Sequence, residues 1–449
     1  MSNSDLSDGD SSSNSDKIQK RVWFLAWPVI LSNCSIPLLG MVDAAVVGHM
    51  DSPIYLGGVA LGALIFDFVY WAVGFLRMGT TGFVAQAFGR RDVDEIKAIL
   101  IQAVQLALGI ALVLWLFAWP IEKFAFFVLQ AQTEVEDQAR FYYWARILGA
   151  PVVLFNYVVM GTLMGMQKPM LTLVLQVLTN GLNIVLDLIF VWGFEWGVEG
   201  VAYATVLAQV CSAGLGWWLM EKHCLPDLSL AQLKQKVSGV SWAQMVRVNS
   251  HLFVRTTLLM GALAYFTAMG AHMGTAILAA NAILMNLQYL LSFALDGFAH
   301  AAESLVGEGF GKKDLRHVDQ TIKWVMIFSG LVAAAFTVLY AAAYPLFIQM
   351  MTSLPEVMEV ATRHGFWVII SPLICVWCYG LDGVFIGATQ TRAMLWSMVF
   401  SAFLYFGLAT WATEHWQNHG LWAALMVFYI LRLVSLGAFV PKLRQRVLA

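Results

Sequence analysis

Long apolar runs dominate the chain, and polar positions are largely confined to the short stretches between them. A helix that crosses the bilayer hydrocarbon takes about 20 mostly apolar residues. Charges do not recur at three- or four-residue spacing through these runs, so the amphipathic helices of a soluble protein are not indicated. Twelve runs are long enough to span a membrane: 21–47, 54–88, 97–120, 139–166, 169–193, 198–220, 245–270, 275–309, 320–350, 362–388, 392–413 and 420–440.

Lysine and arginine are unevenly distributed between the connections that join these runs. The connections after odd-numbered runs hold almost none, since 48–53 and 351–361 have no basic residue. The connections after even-numbered runs are basic, as at Arg90–Arg91 and Lys312–Lys313. Cytoplasmic loops carry the excess of positive charge in membrane proteins. We therefore expect both termini in the cytoplasm, as an even number of spans requires.

Composition supports a membrane protein. Apolar residues make up 60% of the chain and charged residues 12%, whereas soluble proteins keep about a quarter of their residues charged. The net charge of −2 gives no reason to expect nucleic acid as a partner. The first 16 residues are rich in serine and aspartate, a composition typical of disorder.

The chain repeats itself at an offset of 222 residues. The stretch 87–92 (AFGRRD) recurs as 309–314 (GFGKKD), and the GxxxG at 161–165 recurs at 383–387. Six spans per repeat give both halves the same orientation, as in transporters with a pseudo-two-fold axis along the membrane normal. The sequence thus predicts an all-α integral membrane protein with twelve transmembrane helices in two six-helix lobes. The predicted parts are a disordered cytoplasmic tail 1–20, an N-terminal lobe 21–220, a cytoplasmic linker 221–244, a C-terminal lobe 245–440 and a cytoplasmic tail 441–449.

Motifs for enzymatic chemistry are missing from the sequence. The stretch 307–312 (GEGFGK) lacks the glycine spacing and the Ser/Thr of a nucleotide-binding loop, and it follows an apolar span instead of a strand. We find no nucleophile–base constellation, no convincing metal site and no cofactor motif, which argues against a membrane-embedded enzyme. Any pumping by this chain is therefore expected to use an ion gradient.

Four segments resemble the MATE family (multidrug and toxic compound extrusion), in its bacterial DinF-like branch. They are 37–49 (PLLGMVDAAVVGH), 75–89 (FLRMGTTGFVAQAFG), 180–187 (NGLNIVLD) and 294–303 (ALDGFAHAAE). The resemblance runs from about residue 20 to the C-terminus. It implies a V-shaped pair of lobes in the bacterial inner membrane, alternating access, and extrusion of lipophilic compounds coupled to cation entry.

Carboxylates inside the predicted spans are candidate coupling groups, because a charge in the bilayer core is costly and usually functional. Asp43 lies about 33 Å along the helix from the cytoplasmic start of span one, and Asp187 about 28 Å beyond Lys168. Asn180, Asn183 and Asp187 are spaced i, i+3, i+7 and share one helix face. A carboxylate flanked by amides can hold a proton; the alternative is a polar cluster that only joins helices.

The resemblance assigns roles to these residues. The family's proton site in the N-terminal lobe is matched by Asp43, Asn180, Asn183, Asp187 and Thr205. Pro28 matches the proline at which the first helix of the family bends, although a static kink would need the same residue. At an offset of 222, the counterparts of Asp43, Asn183 and Asp187 are Tyr265, Tyr405 and Ala409, so the proton site is expected in one lobe only.

Charged residues in the C-terminal spans allow two interpretations. Arg255 and Asp382 lie at similar depth and can form an ion pair, with Asp296 as a competing partner. These residues, and Arg77 in span two, either stabilise the fold or line the substrate path. Some branches of the family carry an acid in span seven as part of a cation site. Arg255 in that span argues against sodium binding there.

The sequence thus favours a proton-coupled antiporter that exports lipophilic, often cationic, compounds, with protons, such compounds and membrane lipid as its partners. The alternative is a flippase for lipid-linked precursors, which shares the related superfamily fold. Its cavity would be strongly cationic in order to bind pyrophosphate. Arginines inside the spans are few here, and Asp43 and Asp187 favour cations or protons.

Overall fold

The computed structural model describes residues 5–48, 52–226 and 240–448, without the side chains of 5–14, 36–38, 41, 43, 44, 48 and 53. All regular elements in these ranges are helices, which confirms the predicted fold class. They are α1 (Asp5–Gly48), α2 (Pro53–Val73), α3 (Phe75–Arg90), α4 (Val93–Leu116), α5 (Ala118–Leu129), α6 (Thr133–Ile147), α7 (Ala150–Gly165), α8 (Pro169–Asp187), a π-helix (Leu188–Gly193), α9 (Val198–His223), α10 (Trp242–His272), α11 (Thr275–Lys312), α12 (Leu315–Met351), α13 (Pro355–Gly387), α14 (Thr391–Gly437) and α15 (Val440–Leu448).

Within the described ranges, nine helices are long and apolar enough to cross a membrane. The count is ten when α6 and α7, which are bent by 55° at their junction, are taken as one broken span. Helix α1, which holds the first predicted run, stands outside this count. The segment Thr391–Leu448 is counted once, although it holds the last two predicted runs. The chain is thus a multi-pass membrane protein, and the figure of twelve spans stays a prediction.

The chain divides into two compact units. One unit comprises Met1–Ile30 and Arg247–Ala449, and the other comprises Leu31–Val246. Helix α1 therefore contributes its first part to one unit and its second part to the other. The predicted domain boundaries stay predictions.

Matching glycine contacts show that the two halves share one packing arrangement. A Cβ added at Gly161 would lie 2.7 Å from the carbonyl oxygen of Arg77, and one at Gly165 would lie 2.9 Å from that of Thr81. In the other unit, Gly383 and Gly387 abut the carbonyl oxygens of Ala299 and Glu303. Each contact in the second pair lies 222 residues after its counterpart. The glycines let α7 approach α3, and α13 approach α11, at backbone distance.

Helix ends follow the same repeat. Arg91 and Lys313 adopt left-handed conformations (φ 60° and 54°) at the ends of α3 and α11. The next residues, Asp92 and Asp314, cap the following helices by accepting hydrogen bonds from backbone N–H groups at 2.9 and 3.0 Å. An aspartate at this position satisfies an otherwise unpaired N–H of the first helical turn. The repeated sequence at 87–92 and 309–314 is thus a repeated helix–cap–helix junction.

Gly383→Ala is expected to lower the stability of the protein by about 1–3 kcal/mol, because the added methyl group would meet the backbone of Ala299. Thermal unfolding in detergent measures the effect. The matched control is Gly407→Ala within α14, where nothing lies within 4 Å of an added Cβ. The control should be neutral or stabilising by about 0.5–1 kcal/mol, since alanine favours the helix. Equal stability of the two variants would contradict close packing at Gly383.

Helix α14 consists of two helical segments that meet at Gln417, whose φ of 50° and ψ of −133° are not helical. An amide pair fixes this junction: Asn281 Nδ2 donates to Asn418 Oδ1 at 2.8 Å, and Asn418 Nδ2 donates back at 3.0 Å. Trp422 Nε1 also donates to Asn281 Oδ1, at 2.9 Å. The break falls inside the predicted connection 414–419, so the two segments correspond to predicted runs eleven and twelve.

The start of α1 is held by the first unit. Arg21 donates to Glu308 Oε2 at 2.5 Å, and Lys312 binds the other oxygen of that carboxylate at 2.5 Å. Trp324 Nε1 donates to Ser15 Oγ at 3.0 Å. The structure thus differs from the predicted disordered tail 1–20, because α1 begins at Asp5 and residues near its start contact α11 and α12.

Candidate functional site

One face of α8 carries a buried row of polar side chains. Asn180 is 7% exposed, Asn183 is 1% exposed and Asp187 is fully buried. Their i, i+3, i+7 spacing places them on the side of α8 that is covered by the rest of its unit. Burying three strongly polar groups is costly unless they are bonded to one another or to their surroundings. The structure therefore brings together the three α8 residues that the sequence singles out.

Hydrogen bonds connect this row to the helices around it. Asn180 Nδ2 donates to Ser35 Oγ on α1 at 2.9 Å, and its Oδ1 accepts from Gln176 Nε2 at 2.9 Å. Asn183 Nδ2 donates to Thr205 Oγ1 on α9 at 3.4 Å. The row thus bridges α1, α8 and α9.

Sequence reasoning missed Gln176 and Ser35. Gln176 precedes Asn180 by one helical turn and extends the same polar face, so its spacing was a usable signal. Ser35 lies on another helix, and nothing in its local pattern singles it out. Only the packing of α1 against α8 shows that it takes part.

The amide oxygen of Asn183 is buried and has no hydrogen-bond partner among the described residues. A buried acceptor without a donor costs about 1–3 kcal/mol. A neutral carboxylic acid offers an O–H donor that a carboxylate does not. Asp187 lies one turn further along the same face of α8, so a protonated Asp187 is a chemically suitable donor for this oxygen.

A π-helix, Leu188–Gly193, begins directly after Asp187. Phe194 N–H donates to Ile189 carbonyl at 3.0 Å, a bond across five residues instead of the usual four. Such segments are rare and occur frequently at functional sites, because the wider turn disturbs regular packing. The carboxylate thus lies where the regular α-helix ends.

Asp43 and Pro28 both lie in α1. The side chain of Asp43 lies outside the described residues, and only its place in the helix is known. Pro28 is buried, and α1 is assigned as one helix through it. The roles of Asp43 as a proton carrier and of Pro28 as a bending point stay predictions.

The second unit of charged residues is a buried cluster around Asp382 on α13. Arg255 on α10 donates to Asp382 Oδ2, and Arg432 on α14 donates to the same oxygen at 2.5 Å. Asp382 is 9% exposed, Arg255 6% and Arg432 2%. The guanidinium of Arg432 also lies over the rings of Phe428 and Tyr429, at 5.6 and 5.7 Å. Two cations therefore hold one carboxylate, and the structure brings Arg255 and Asp382 together.

The sequence did not pair Arg432 with Asp382. Spacing along a helix gives the depth of Arg432 but not which neighbouring helix it faces. Asp296, the competing partner for Arg255, is half-buried on α11, and Arg77 is half-buried on α3. A role for either residue in the substrate path stays a prediction.

At the offset of 222, the positions of the polar row hold different chemistry. Tyr405 and Ala409, the counterparts of Asn183 and Asp187, are fully buried. The rings of Tyr265 and Tyr405 pack edge to face with 6.2 Å between centroids, and Tyr265 Oη and Thr410 Oγ1 are 2.6 Å apart. The polar row is thus restricted to the unit that contains α8.

Comparison with known proteins matches both halves of the chain to one family. The MatE family pattern fits residues 28–189 and again residues 252–411. The chain is 39% identical to DNA damage-inducible protein F of Escherichia coli (strain K12), over 93% of this chain and 91% of that protein. It is 24% identical to the chloroplastic Protein DETOXIFICATION 44 of Arabidopsis thaliana, over 93% of this chain and 81% of that protein.

Solved structures share the fold. A crystal structure of MATE in the bent conformation gives a TM-score of 0.84 at 18% identity, covering 97% of each chain. A transporter of the MOP superfamily from Pyrococcus furiosus gives 0.83 at 20% identity, covering 96% of each chain. At these identities the likeness shows the fold alone. Together with the match of the family pattern to both halves, it means that this chain belongs to the MATE family, whose members are membrane transporters and not enzymes.

Proposed function

We propose that this protein exports lipophilic, often cationic, compounds in exchange for protons, with Asp43 and Asp187 as the proton carriers. The observation that carries the proposal is the fully buried Asp187 on a face of α8 with two buried amides. Asn180, Asn183 and Thr205 position this face and supply its hydrogen bonds. In the proposed topology the protein lies in the bacterial inner membrane with both termini in the cytoplasm.

The depth of the two aspartates supports a shared site. Ser35 on α1 accepts a hydrogen bond from Asn180 on α8, which fixes the two helices side by side at one level. Both helices follow odd-numbered runs and so point in the same direction in the proposed topology. From this level, Asp187 lies seven residues along α8, about 10 Å, and Asp43 lies eight residues along α1, about 12 Å. The two positions are thus at similar depth.

The repeat provides independent support. Tyr265 and Tyr405 occupy the positions equivalent to 43 and 183, and their rings are in contact. Because the halves share their glycine contacts and helix caps, positions 43 and 183 are expected to be neighbours as well. This supports the proposal that Asp43 acts together with the α8 row.

The cluster around Asp382 supports proton coupling over sodium coupling. A sodium site needs oxygen ligands with uncompensated negative charge, as for other hard cations. Asp382 is instead bonded by two guanidinium groups, which supply more positive charge than the carboxylate neutralises. A further cation at this position would be repelled.

The polar row also disfavours the flippase alternative. Pyrophosphate headgroups are bound by clustered arginines and lysines. The row on α8 consists of two amides and one carboxylic acid, with a glutamine, a serine and a threonine around it. Such a row suits a proton or a cation, not a phosphate.

Asp187→Asn is expected to leave a weaker exchanger that responds to pH but no longer to membrane potential. Exchange of one proton for one monovalent cation moves no net charge, so only the pH difference drives it, by about 1.4 kcal/mol per unit. A second proton moves one net charge, worth about 2.3 kcal/mol per 100 mV. The measurement is efflux of a monovalent cation from proteoliposomes under a potassium diffusion potential without a pH difference.

The matched control for this experiment is Asp67→Asn. Asp67 is also an aspartate inside a span of the same unit, but it lies on α2 and outside the α8 row. This variant should keep the voltage response. If a potential alone still accelerates efflux through the Asp187→Asn protein, Asp187 is not the second proton carrier.

A further inference from the structure

A cavity of about 320 Å³ lies beside the start of α14 and the last helix, α15. Three cationic side chains line it: Arg392 from α14, and Lys442 and Arg446 from α15. Trp396 and Phe439 contribute aromatic surface, and none of the lining residues is acidic. Its three positive charges and its volume fit a single anionic group with an apolar part.

The way α15 is bound makes these cations available. Leu443 and Val447, one turn apart, are buried and hold the helix against its unit. Arg444 points to another partner, because it binds Asp319 at 2.7 Å. Arg446 donates to Gln390 Oε1, a neutral acceptor that leaves its charge uncompensated.

The remaining two cations of the cavity have no carboxylate partner either. Arg392 and Lys442 form no ion pair with any residue that the structure describes. Clustered like charges without a counter-ion repel one another and are stabilised by a bound anion. The cavity thus has the electrostatics of an anion site.

An apolar stripe continues from this cavity along α14. Trp396, Phe400 and Phe403 follow Arg392 at i+4, i+8 and i+11 and therefore lie on the same helix face. Their exposed fractions are 56%, 52% and 78%, which is high for aromatic side chains. This face leads from the basic end of α14 into the apolar span. A ligand that follows it would have a charged head and a long apolar tail.

We propose that this cavity binds the phosphate headgroup of an anionic phospholipid, with an acyl chain along the Trp396–Phe403 face. Basic pockets at the cytoplasmic ends of membrane helices are suited to such headgroups. The positive charge of the tail after the last span places the cavity at the cytoplasmic surface in the proposed topology. A free phosphate would use the three cations but would leave the aromatic stripe without a role. This site does not depend on proton coupling or on the α8 row.

The test uses the full-length protein in detergent, titrated with phosphatidylglycerol or phosphatidylcholine and followed by native mass spectrometry. The wild type should bind phosphatidylglycerol in preference to phosphatidylcholine. Each removed charge is expected to weaken phosphatidylglycerol binding about fivefold, so Lys442→Gln/Arg446→Gln should weaken it about 30-fold. The matched control is Arg444→Gln, which removes the same charge from the same helix but outside the cavity. It should change binding less than twofold.

Three results would overturn the proposal. The first is equal weakening by Arg444→Gln and the cavity substitutions, which would indicate attraction to a basic surface without a defined site. The second is no preference between the two lipids. The third is displacement of phosphatidylglycerol by millimolar inorganic phosphate, which would indicate a phosphate site. Should the α15 variant unfold, Arg392→Gln on α14 tests the same cavity, with about fivefold weakening expected.

Discussion

Replacing Asp43 with asparagine is expected to abolish export of cationic substrates while the protein still folds and inserts into the membrane. Asparagine keeps the size of the side chain and its capacity for hydrogen bonds, but it cannot take up and release a proton. Asp43 lies in α1, eight residues after the Ser35 that binds Asn180. An ionisable group at this depth is costly unless it has a function. Efflux of a fluorescent lipophilic cation from cells, at equal membrane abundance, measures the effect.

Asp67→Asn is the control for this variant as well, because it also removes one carboxylate from a span. It should export at close to the wild-type rate. Efflux by Asp43→Asn at the wild-type rate would remove Asp43 from the mechanism, and loss of export in both variants would point to a general need for charge.

Asp382→Asn is expected to destabilise the protein by about 3–5 kcal/mol, because it leaves two buried guanidinium groups without their shared carboxylate. Arg255 and Arg432 are each less than a tenth exposed, so water cannot replace the lost partner. Thermal or denaturant unfolding in detergent measures the change. The matched control is Asp319→Asn, which breaks the exposed pair with Arg444 and should cost no more than about 1 kcal/mol.

A second variant separates stability from transport at this cluster. Replacing all three charges together, as Arg255→Met/Asp382→Leu/Arg432→Met, should recover much of the stability, since a buried ion cluster is often no more stable than apolar packing. Wild-type export by this triple variant would assign the cluster to the fold. Loss of export with recovered stability would assign it to the substrate path. Asp382→Asn with wild-type stability would contradict a buried cluster held by charge.

Hydrophobic runs predicted most of the helices, because a membrane helix must satisfy its own backbone hydrogen bonds and cover itself with apolar side chains. They could not predict bends at which the backbone remains bonded. The predicted connection 121–138 contains α5 and the start of α6. Arg140 holds both Glu122 and Glu136 there, and this ion pairing depends on packing that a single-residue pattern does not reveal.

The candidate site was partly readable for a related reason. Asn180, Asn183 and Asp187 lie on one helix, so their spacing alone places them on one face. Ser35 and Arg432 come from other helices, and which neighbour they face depends on how the helices pack. The repeat narrows this gap, because a contact seen in one half, such as Tyr265 with Tyr405, indicates which positions are neighbours in the other half.

Proton coupling is tested most directly in inside-out membrane vesicles with the pH and sodium gradients imposed separately. An acidic lumen, without sodium, should drive uptake of a lipophilic cation, and the Asp43→Asn protein should show none. A lumen loaded with sodium at equal pH on both sides should drive no uptake. Uptake driven by sodium with the pH difference collapsed would contradict the proposed proton coupling.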